Sequence, residues 1–108
     1  MTSELEVDMV QQLAGLNPVI HAPARLAITA YLSLVESADY LLLMRLTGFT
    51  WGNLATHLGK LDQAGYVRIE KEFRNRKPAS VVSLTDEGHK AFRAYKGRLS
   101  QILNSLPD

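Results

Sequence analysis

The sequence predicts a mainly α fold with one small β-hairpin, an α+β domain in which a helix-turn-helix precedes the hairpin. Three observations carry this prediction. Apolar residues recur at helical spacing in residues 50–64, the next twenty residues show the alternation of paired strands, and further helical stripes flank this region on both sides. A short helix, a tight turn and a second helix in succession are typical of a helix-turn-helix.

The length and composition favour one ordinary globular domain. The chain has 108 residues, of which 46% are hydrophobic and 21% charged, so we expect residues 1–108 to form a single domain. The longest apolar run is too short to cross a bilayer, and the acidic opening MTSELEVDMV has no signal or transit pattern. We therefore expect a cytoplasmic protein without membrane contact.

Several kinds of chemistry find no support in the residue types. The chain has no Cys, which excludes disulfides, thiolate metal sites and a Cys nucleophile. His21, His57 and His89 are far apart in sequence and show no metal-ligand spacing. No nucleophile elbow and no Gly-rich phosphate loop is present. We expect no enzyme, no cofactor and no metal site.

Positive charge is concentrated in the second half of the chain. Residues 1–59 carry two basic and five acidic side chains, whereas residues 60–98 carry ten basic and five acidic ones. Such asymmetry is typical of a nucleic-acid contact surface, although a solvated charged half of an ordinary domain gives the same pattern.

Two helices are predicted ahead of the helix-turn-helix. Residues 3–14 place Leu5, Met9 and Leu13 on one stripe that ends at Gly15. The second helix is the segment PARLAITAYLSLVE, which begins with a proline suited to a first helical turn. Its predicted core face consists of Leu26, Ala27, Ala30 and Leu34.

A third, unusually apolar helix is predicted in YLLLMRL. Asp39 is placed to cap its start after a short connection at Ser37 and Ala38. Leu43 and Leu46 suffice for a core side, yet three further residues are also apolar: Leu41, Leu42 and Met44. Deeper burial or a subunit contact explains this second face better than a ligand pocket does.

The segment TWGNLATHLGKLDQAGYV contains the predicted central helix of the domain. Leu54, Leu58 and Leu61 follow the i, i+4, i+7 spacing of one buried face, while Thr50 is placed as the N-cap and Gly65 as the left-handed end. The opposite face carries residues that ordinary solvated helices seldom combine, namely Trp51, Gly52, Asn53, Thr56, His57 and Lys60. This composition favours a recognition helix over a merely solvated surface.

A basic hairpin and a long final helix complete the chain. The hairpin joins YVRIEKEF to SVVSL through the turn RNRKP. Thr85 is placed to cap the last helix, which we expect to run to about Leu106. Its stripe of Phe92, Tyr95, Leu99, Ile102 and Leu106 is longer than a small domain covers, so its last part is expected to be exposed unless a partner covers it.

The order of these elements resembles the winged helix-turn-helix fold of bacterial and archaeal transcription regulators, with extra N- and C-terminal helices. It is broadly similar to the MarR-type and ArsR-type families. The resemblance runs from about Pro18 to Tyr95 and is carried by PVIHAPARLAI, TWGNLATHLGKLDQAGYV, EKEFRNRKP and SLTDEGHKAF. The metal-binding cysteines of ArsR-type proteins are absent here, which argues against metal sensing.

The resemblance implies a sequence-specific DNA-binding transcriptional regulator. Helix 50–64 would lie in the major groove and the wing, residues 66–84, on the backbone or in the adjacent minor groove. The residues expected to contact double-stranded DNA are Thr50, Trp51, Asn53, Thr56, His57 and Lys60 on the helix, and Arg74, Arg76 and Lys77 at the wing tip. No small-molecule effector is specified.

A homodimer on an inverted-repeat operator is the expected assembly, with residues 1–17 and 86–106 as the dimerisation elements. The alternative function is a winged helix that binds another protein without specific DNA binding, in which case Trp51 and the apolar third helix would form the contact patch. Salt dependence separates the two functions, because phosphate contacts release counterions and an apolar protein contact does not.

Overall fold

Five helices and three strands make up the computed structural model, which describes residues 2–108. The elements in chain order are α1 (Glu4–Ala14), α2 (Pro23–Leu32), β1 (Ala38–Asp39), α3 (Tyr40–Thr47), α4 (Trp51–Gln63), β2 (Val67–Arg74), β3 (Lys77–Leu84) and α5 (Asp86–Asn104). The mainly α fold class with a small antiparallel sheet is therefore confirmed.

Capping side chains set the helix starts that the sequence predicts. Asp39 accepts a hydrogen bond from the Leu42 backbone at 2.7 Å, Thr50 from Asn53 at 3.1 Å and Thr85 from Gly88 at 3.0 Å. Each bond satisfies a backbone N–H that the helix itself leaves without a partner.

The turn between α3 and α4 and the end of α4 both need a left-handed residue. Gly48 has φ +73° and Gly65 has φ +79°, a conformation that costs glycine little because it has no Cβ. Gly48 thus ends the first helix of the predicted helix-turn-helix, and Gly65 follows the end of the second.

The wing is a regular antiparallel hairpin. Val67 pairs with Leu84 and Arg74 with Lys77, with every residue between them in register. The connection consists of Asn75 and Arg76, whose φ values of +53° and +65° are those of a two-residue type I′ turn.

A third strand was not expected. Ala38 pairs with Val82 and Asp39 with Val81, so Ala38, interpreted as part of a connection, and the capping residue Asp39 form β1, and the sheet order is β1-β3-β2. The prediction of a hairpin alone was wrong at this point. The strand has only two residues, too few to show the alternation by which strands are recognised in a sequence.

The main core lies between the helix-turn-helix and the sheet. Leu54, Leu58 and Leu61 are at most 1% exposed, as predicted, and they pack in one cluster with Ile28 and Val82. Burying this leucine stripe fixes which side of α4 faces outward.

A second cluster joins the two ends of the chain, and it corrects the expectation for the final helix. Ile102, predicted to extend beyond the domain, is only 3% exposed because α1 of the same chain folds back on α5. Met9 and Leu13 pack against the cluster that holds Ile102. Leu106 remains 37% exposed.

Three core positions predicted for α2 and α3 were also wrong. Leu34 is 81% exposed because α2 ends at Leu32, two residues earlier, and Leu46 is 55% exposed on the outer side of α3. The predicted face of α2 also includes Ala27, which is exposed. The residues that α2 buries are Ile28, Thr29 and Leu32.

A tight joint connects the end of α4, the start of the wing and the start of α5. The Thr85 hydroxyl donates to the Gly65 carbonyl oxygen at 2.6 Å, and the Thr85 amide donates to the Tyr66 carbonyl oxygen at 3.0 Å. A Cβ at Gly88 would lie 2.1 Å from that same Tyr66 oxygen. The first turn of α5 therefore lies against the backbone that leaves α4.

Candidate nucleic-acid interface

The outward face of α4 carries Asn53, Thr56 and Lys60, all exposed. They lie away from the buried leucines, because an α-helix has 3.6 residues per turn and these positions fall on its other side. The Thr56 hydroxyl donates to the Gly52 carbonyl oxygen at 3.0 Å, so its oxygen lone pairs remain able to accept. The face combines an amide, a hydroxyl with a methyl, and a cation.

Thr50 and Trp51 at the start of α4 are partly engaged within the protein. The Thr50 hydroxyl accepts the capping hydrogen bond from the Asn53 amide. The Trp51 ring lies 4.0 Å, centroid to centroid, from the buried Tyr40 ring, and the Tyr40 hydroxyl donates to the Trp51 carbonyl oxygen at 2.8 Å. Trp51 is nevertheless 58% exposed, so one side of its indole is free.

His57 is half-buried and turned toward α2 rather than straight outward. Its Nδ1 lies 3.2 Å from Nη1 of Arg25, and its ring lies 5.8 Å from the Phe49 ring. Burial lowers the pKa of the imidazole below 6.5, and the positive charges of Arg25 and Lys60 lower this pKa further. Both causes favour a neutral ring.

Arg25 was missed by the sequence analysis. Its Nε donates to the Val19 carbonyl oxygen at 2.6 Å, so the guanidinium is held beside the recognition helix. The signal that could have found it is its charge, the only one in the ten residues of α2. A single cation in an otherwise apolar helix usually has a specific partner, because burying part of its charge without one would cost free energy.

The three predicted wing cations differ in their surroundings. Arg74 lies 3.8 Å from a carboxylate oxygen of Asp39 and 3.6 Å from one of Glu72. Within residues 2–108, no carboxylate oxygen lies within 4.0 Å of the charged groups of Arg76 or Lys77. The turn therefore presents Arg76 and Lys77 as exposed cations without an ion pair to a described carboxylate, whereas Arg74 is already paired.

The structure brings some predicted site residues together and separates others. Trp51, Arg74 and Lys77 line one cavity between α4 and the wing, whereas Lys60 borders a different recess beside Arg25. Asn53 and Thr56 border neither of these. The predicted set is thus divided into a helix face, a wing tip and a cleft between them.

Two further observations concern other kinds of site. Among residues 2–108, the His, Asp and Glu side chains form no group of three or more that could hold a metal ion. No helix in this part of the chain is both long and apolar enough to cross a membrane.

Comparison with known proteins relates this geometry to a family. Residues 24–103, well over half of the chain, match the family model described as a winged helix DNA-binding domain. The uncharacterised protein MJ0432 of Methanocaldococcus jannaschii is 26% identical over 88 residues, which cover 82% of this chain and 96% of that protein.

Solved structures share the fold. The transcriptional regulator homologue from Pyrococcus horikoshii OT3 superposes with a TM-score of 0.85 at 24% identity, covering 94% of this chain and 99% of the other. The transcriptional repressor CouR, bound to a 23-mer DNA duplex, gives a TM-score of 0.69 at 19% identity and covers 87% of this chain and 63% of its own. Together with the family match, they confirm the winged helix-turn-helix, and the chain belongs to the family of winged helix DNA-binding domains.

Proposed function

We propose that this chain is a sequence-specific DNA-binding transcriptional regulator, with helix 50–64 in the major groove and the wing, residues 66–84, on the backbone or in the adjacent minor groove. The observation that carries the proposal is the division of α4 into two faces. Leu54 and Leu61 are fully buried, while Asn53 and Lys60 on the other side are exposed and polar. An α-helix with such a free polar face fits the major groove, which is wide enough to admit it.

Asn53, Thr56 and Lys60 are the proposed base and phosphate contacts of the helix. The Asn53 amide both donates and accepts, which matches the N6 and N7 edge of adenine. The Thr56 methyl group suits a thymine methyl, and the Lys60 ammonium suits guanine or a phosphate. All three side chains reach outward without first breaking a buried contact.

Thr50 and His57 have narrower roles in this proposal. The Thr50 hydroxyl accepts the capping bond of the first turn, so it offers DNA its O–H donor and its remaining lone pair. Because Arg25 donates to Nδ1 of His57, the ring proton lies on Nε2, and His57 acts toward DNA as a donor only.

Arg76 and Lys77 supply the main electrostatic contact of the wing. Both are exposed at the turn and free of ion pairs with the described carboxylates, so a phosphate meets them without competition. Arg74 contributes less, because DNA must first displace Asp39 and Glu72 from its guanidinium.

A homodimer joined through residues 1–17 and 86–106 completes the proposal. The radius of gyration is 16.7 Å, against about 13 Å for a compact domain of this length, and the longest dimension is 64 Å. Leu5, Val10 and Leu103 are each more than half exposed on α1 and α5. A two-fold pairing of these helices would cover them and present two recognition helices to an inverted repeat with half-sites about 34 Å apart.

Selection of bound fragments from genomic DNA tests this function. We expect an enriched inverted repeat, bound at least about 1,000-fold more tightly than scrambled DNA at the same salt concentration. If no sequence is enriched, and the affinity for all duplexes is equal, the chain is not a sequence-specific regulator.

Protein binding without specific DNA contact is the second candidate function. The observation that favours it is the exposed apolar surface of Leu41, 67% exposed, beside Trp51. A partner bound there would be held mainly by apolar contact, so its affinity would change little with salt, whereas DNA affinity falls steeply. The two functions therefore predict a nearly constant affinity for a protein partner and a steeply falling affinity for DNA as the salt concentration rises.

A further inference from the structure

An apolar side chain becomes steadily more exposed along β2 toward the tip of the wing. Val67 is 3% exposed, Ile69 39% and Phe73 80%. These three residues lie on one face of the hairpin, because successive strand residues alternate between its two faces. Val67 belongs to the main core cluster, whereas Phe73 belongs to neither core cluster. The face that continues from the core therefore ends in an exposed aromatic ring.

The register of the hairpin places Phe73 next to the turn. Arg74 and Lys77 form the last pair before the two-residue turn, and Phe73 lies opposite Pro78 in the pair before it. This second pair exchanges no backbone hydrogen bonds, so a proline, which has no N–H, fits there without loss of a bond. Side chains of such a pair stand close together, so the Pro78 ring restricts the orientations of the Phe73 ring. The aromatic ring is exposed and yet has a fixed neighbour.

The two faces of the wing differ in charge. The face opposite Phe73 holds two ion pairs along β2, in which Nε of Arg68 lies 3.8 Å from a carboxylate oxygen of Glu70 and Nε of Arg74 lies 3.6 Å from one of Glu72. On the Phe73 face, the charged residue of β2 is Lys71. Within residues 2–108, no carboxylate oxygen lies within 4.0 Å of its ammonium group. One face thus neutralises its own charges, and the other presents a ring beside an unpaired cation.

A partner that matches this face must be anionic and must also offer apolar surface. The minor groove of DNA has both, because phosphates border it and stacked bases line it. Arg76 and Lys77, the free cations of the turn, are within four residues of Phe73, so their contact with phosphates would bring the ring to the groove. Phenylalanine is one of the side chains that minor-groove proteins insert between stacked base pairs. An apolar protein surface would match the ring but leave the cations unpaired.

We propose that Phe73 is an apolar wedge that enters the minor groove and partly separates two stacked base pairs, so that this protein bends its DNA. The proposal rests on the proposed function, since it assigns the wing a place on DNA. Insertion of the ring kinks the duplex by about 20° to 90° toward the major groove, where α4 would lie. Flexible pyrimidine–purine steps, TA above all, cost the least to unstack. The wing therefore selects sequence through the deformability of a step, without a hydrogen bond to a base.

The fluorescent adenine analogue 2-aminopurine reports the wedge directly, because its emission is quenched by stacking and rises when a neighbouring base moves away. The test uses a short duplex of alternating T and A at low salt, where the wing cations hold DNA of any sequence. On binding, we expect the emission of a central 2-aminopurine to rise severalfold and the duplex ends to approach each other, as measured by energy transfer.

Three variants show whether the ring causes these changes. Phe73→Leu keeps an apolar wedge and should retain most of both signals, whereas Phe73→Thr should abolish them. Threonine suits a strand and Phe73 lies outside the core, so this variant is expected to fold, with an unchanged Tm as the check. Leu34→Thr changes a leucine of matching exposure outside the wing, 81% against 80%, and should leave both signals unchanged.

Affinity separates the wedge from the cations of the wing. Phe73→Thr is expected to weaken binding to the alternating duplex about fivefold to tenfold, and binding to the stiff duplex of oligo(dA) with oligo(dT) less than about twofold. Its log-log salt slope should equal that of the parent protein, because a phenyl ring neutralises no phosphate. Arg76→Asn should instead weaken binding to both duplexes and reduce the slope.

The outcomes separate the wedge from the proposed function. A bound duplex that neither bends nor brightens, or equal losses for Phe73→Thr on both duplexes, overturns the wedge and leaves sequence-specific binding standing wherever a sequence is still selected. A changed oligomeric state of Phe73→Thr in light scattering also overturns it, because the ring would then contact a second copy of the chain. Bending that depends on Phe73, in a protein that enriches no sequence, supports the wedge and refutes the proposed function. A protein that binds no duplex at low salt overturns both.

Discussion

Nδ1 of His57 lies 3.2 Å from Nη1 of Arg25, and this contact joins the middle of the recognition helix to the start of α2. A guanidinium has donors and no acceptor, so the imidazole must accept at Nδ1. Protonation at Nδ1 would place two cationic groups against each other. The contact therefore exists only with a neutral imidazole.

The contact predicts a pH dependence of stability. The pKa of His57 is lowered from 6.5, first by burial and then by Arg25 and Lys60, so the unfolded chain takes up the proton before the folded one does. The stability contributed by neutral His57 is present above about pH 6.5 and is lost as the pH falls through the lowered pKa. We expect the Tm of the protein to fall more steeply than that of His57→Gln between about pH 7.5 and pH 5.

His89→Gln is the matched control for this prediction, because His89 is exposed on α5. The Tm of this variant should change with pH in the same way as the Tm of the parent protein. Parallel Tm curves for the parent and His57→Gln would show that folding does not change the pKa of His57, and would contradict this prediction.

The wing cations should control the salt dependence of DNA binding. Arg76→Asn and Lys77→Gln are each expected to weaken binding to all sequences and to reduce the log-log salt slope by about 0.9 for each phosphate that the variant no longer neutralises. Asn is chosen at position 76 because φ there is +65°, a conformation that Asn tolerates better than Ala. Arg74→Gln should change the slope less, because Arg74 is paired with Asp39 and Glu72. Equal slope changes for all three would contradict the distinction.

Asn53 should determine sequence preference. Asn53→Ala is expected to cost about 1 to 3 kcal/mol on the selected site and much less on random DNA, since the amide meets a base edge only where the matching base is present. Ser37→Ala, at an exposed polar residue between α2 and β1, serves as the control. Fluorescence anisotropy titrations with both duplexes measure the difference. Equal effects on the two duplexes would assign Asn53 to positioning instead of base recognition.

Two glycines of α5 should respond to alanine in opposite directions. A Cβ at Gly88 would lie 2.1 Å from the Tyr66 carbonyl oxygen, and backbone atoms cannot move aside cheaply, so Gly88→Ala is expected to destabilise the fold by about 2 to 4 kcal/mol. Gly97 has open space around it, so Gly97→Ala should stabilise the helix by up to about 1 kcal/mol. Urea unfolding measures both, and a mild effect at Gly88 would disprove the tight joint.

A charge on the exposed end of α5 should separate the proposed dimer. Leu103→Glu puts an unpaired carboxylate into the apolar contact, which costs several kcal/mol and should give monomers in light scattering at micromolar concentration. Leu34→Glu changes an exposed leucine outside the terminal helices and should leave the dimer intact. A parent protein that is already monomeric would disprove the proposed assembly.

Local signals in the sequence sufficed to locate the helix-turn-helix. Asp39, Thr50 and Thr85 each accept from the backbone N–H three residues further on, so their capping roles can be predicted from neighbouring positions alone. The leucine spacing of α4 likewise reveals its buried side. The exposure of Asn53, Thr56 and Lys60 follows from that spacing, whereas the partial burial of His57 does not.

Contacts between distant residues could not be predicted in the same way. β1 becomes a strand only by pairing with Val81 and Val82, more than forty residues away. The contact of Arg25 with His57 depends on how α2 packs on α4, which no local pattern encodes. Leu34 continues the helical spacing of α2, but the helix has already ended at Leu32. The spacing therefore does not predict burial at Leu34.

The joint at Gly88 gives α5 the geometry of a lever. The helix has 19 residues, about 28 Å in length, and its first turn lies against the backbone that leaves the recognition helix. A tilt of about 10° at this joint would displace the far end by about 5 Å, the rise of roughly one and a half base pairs. In a dimer joined at that far end, the fit of a hydrogen atom against the Tyr66 oxygen would set the number of base pairs between the two halves of the operator.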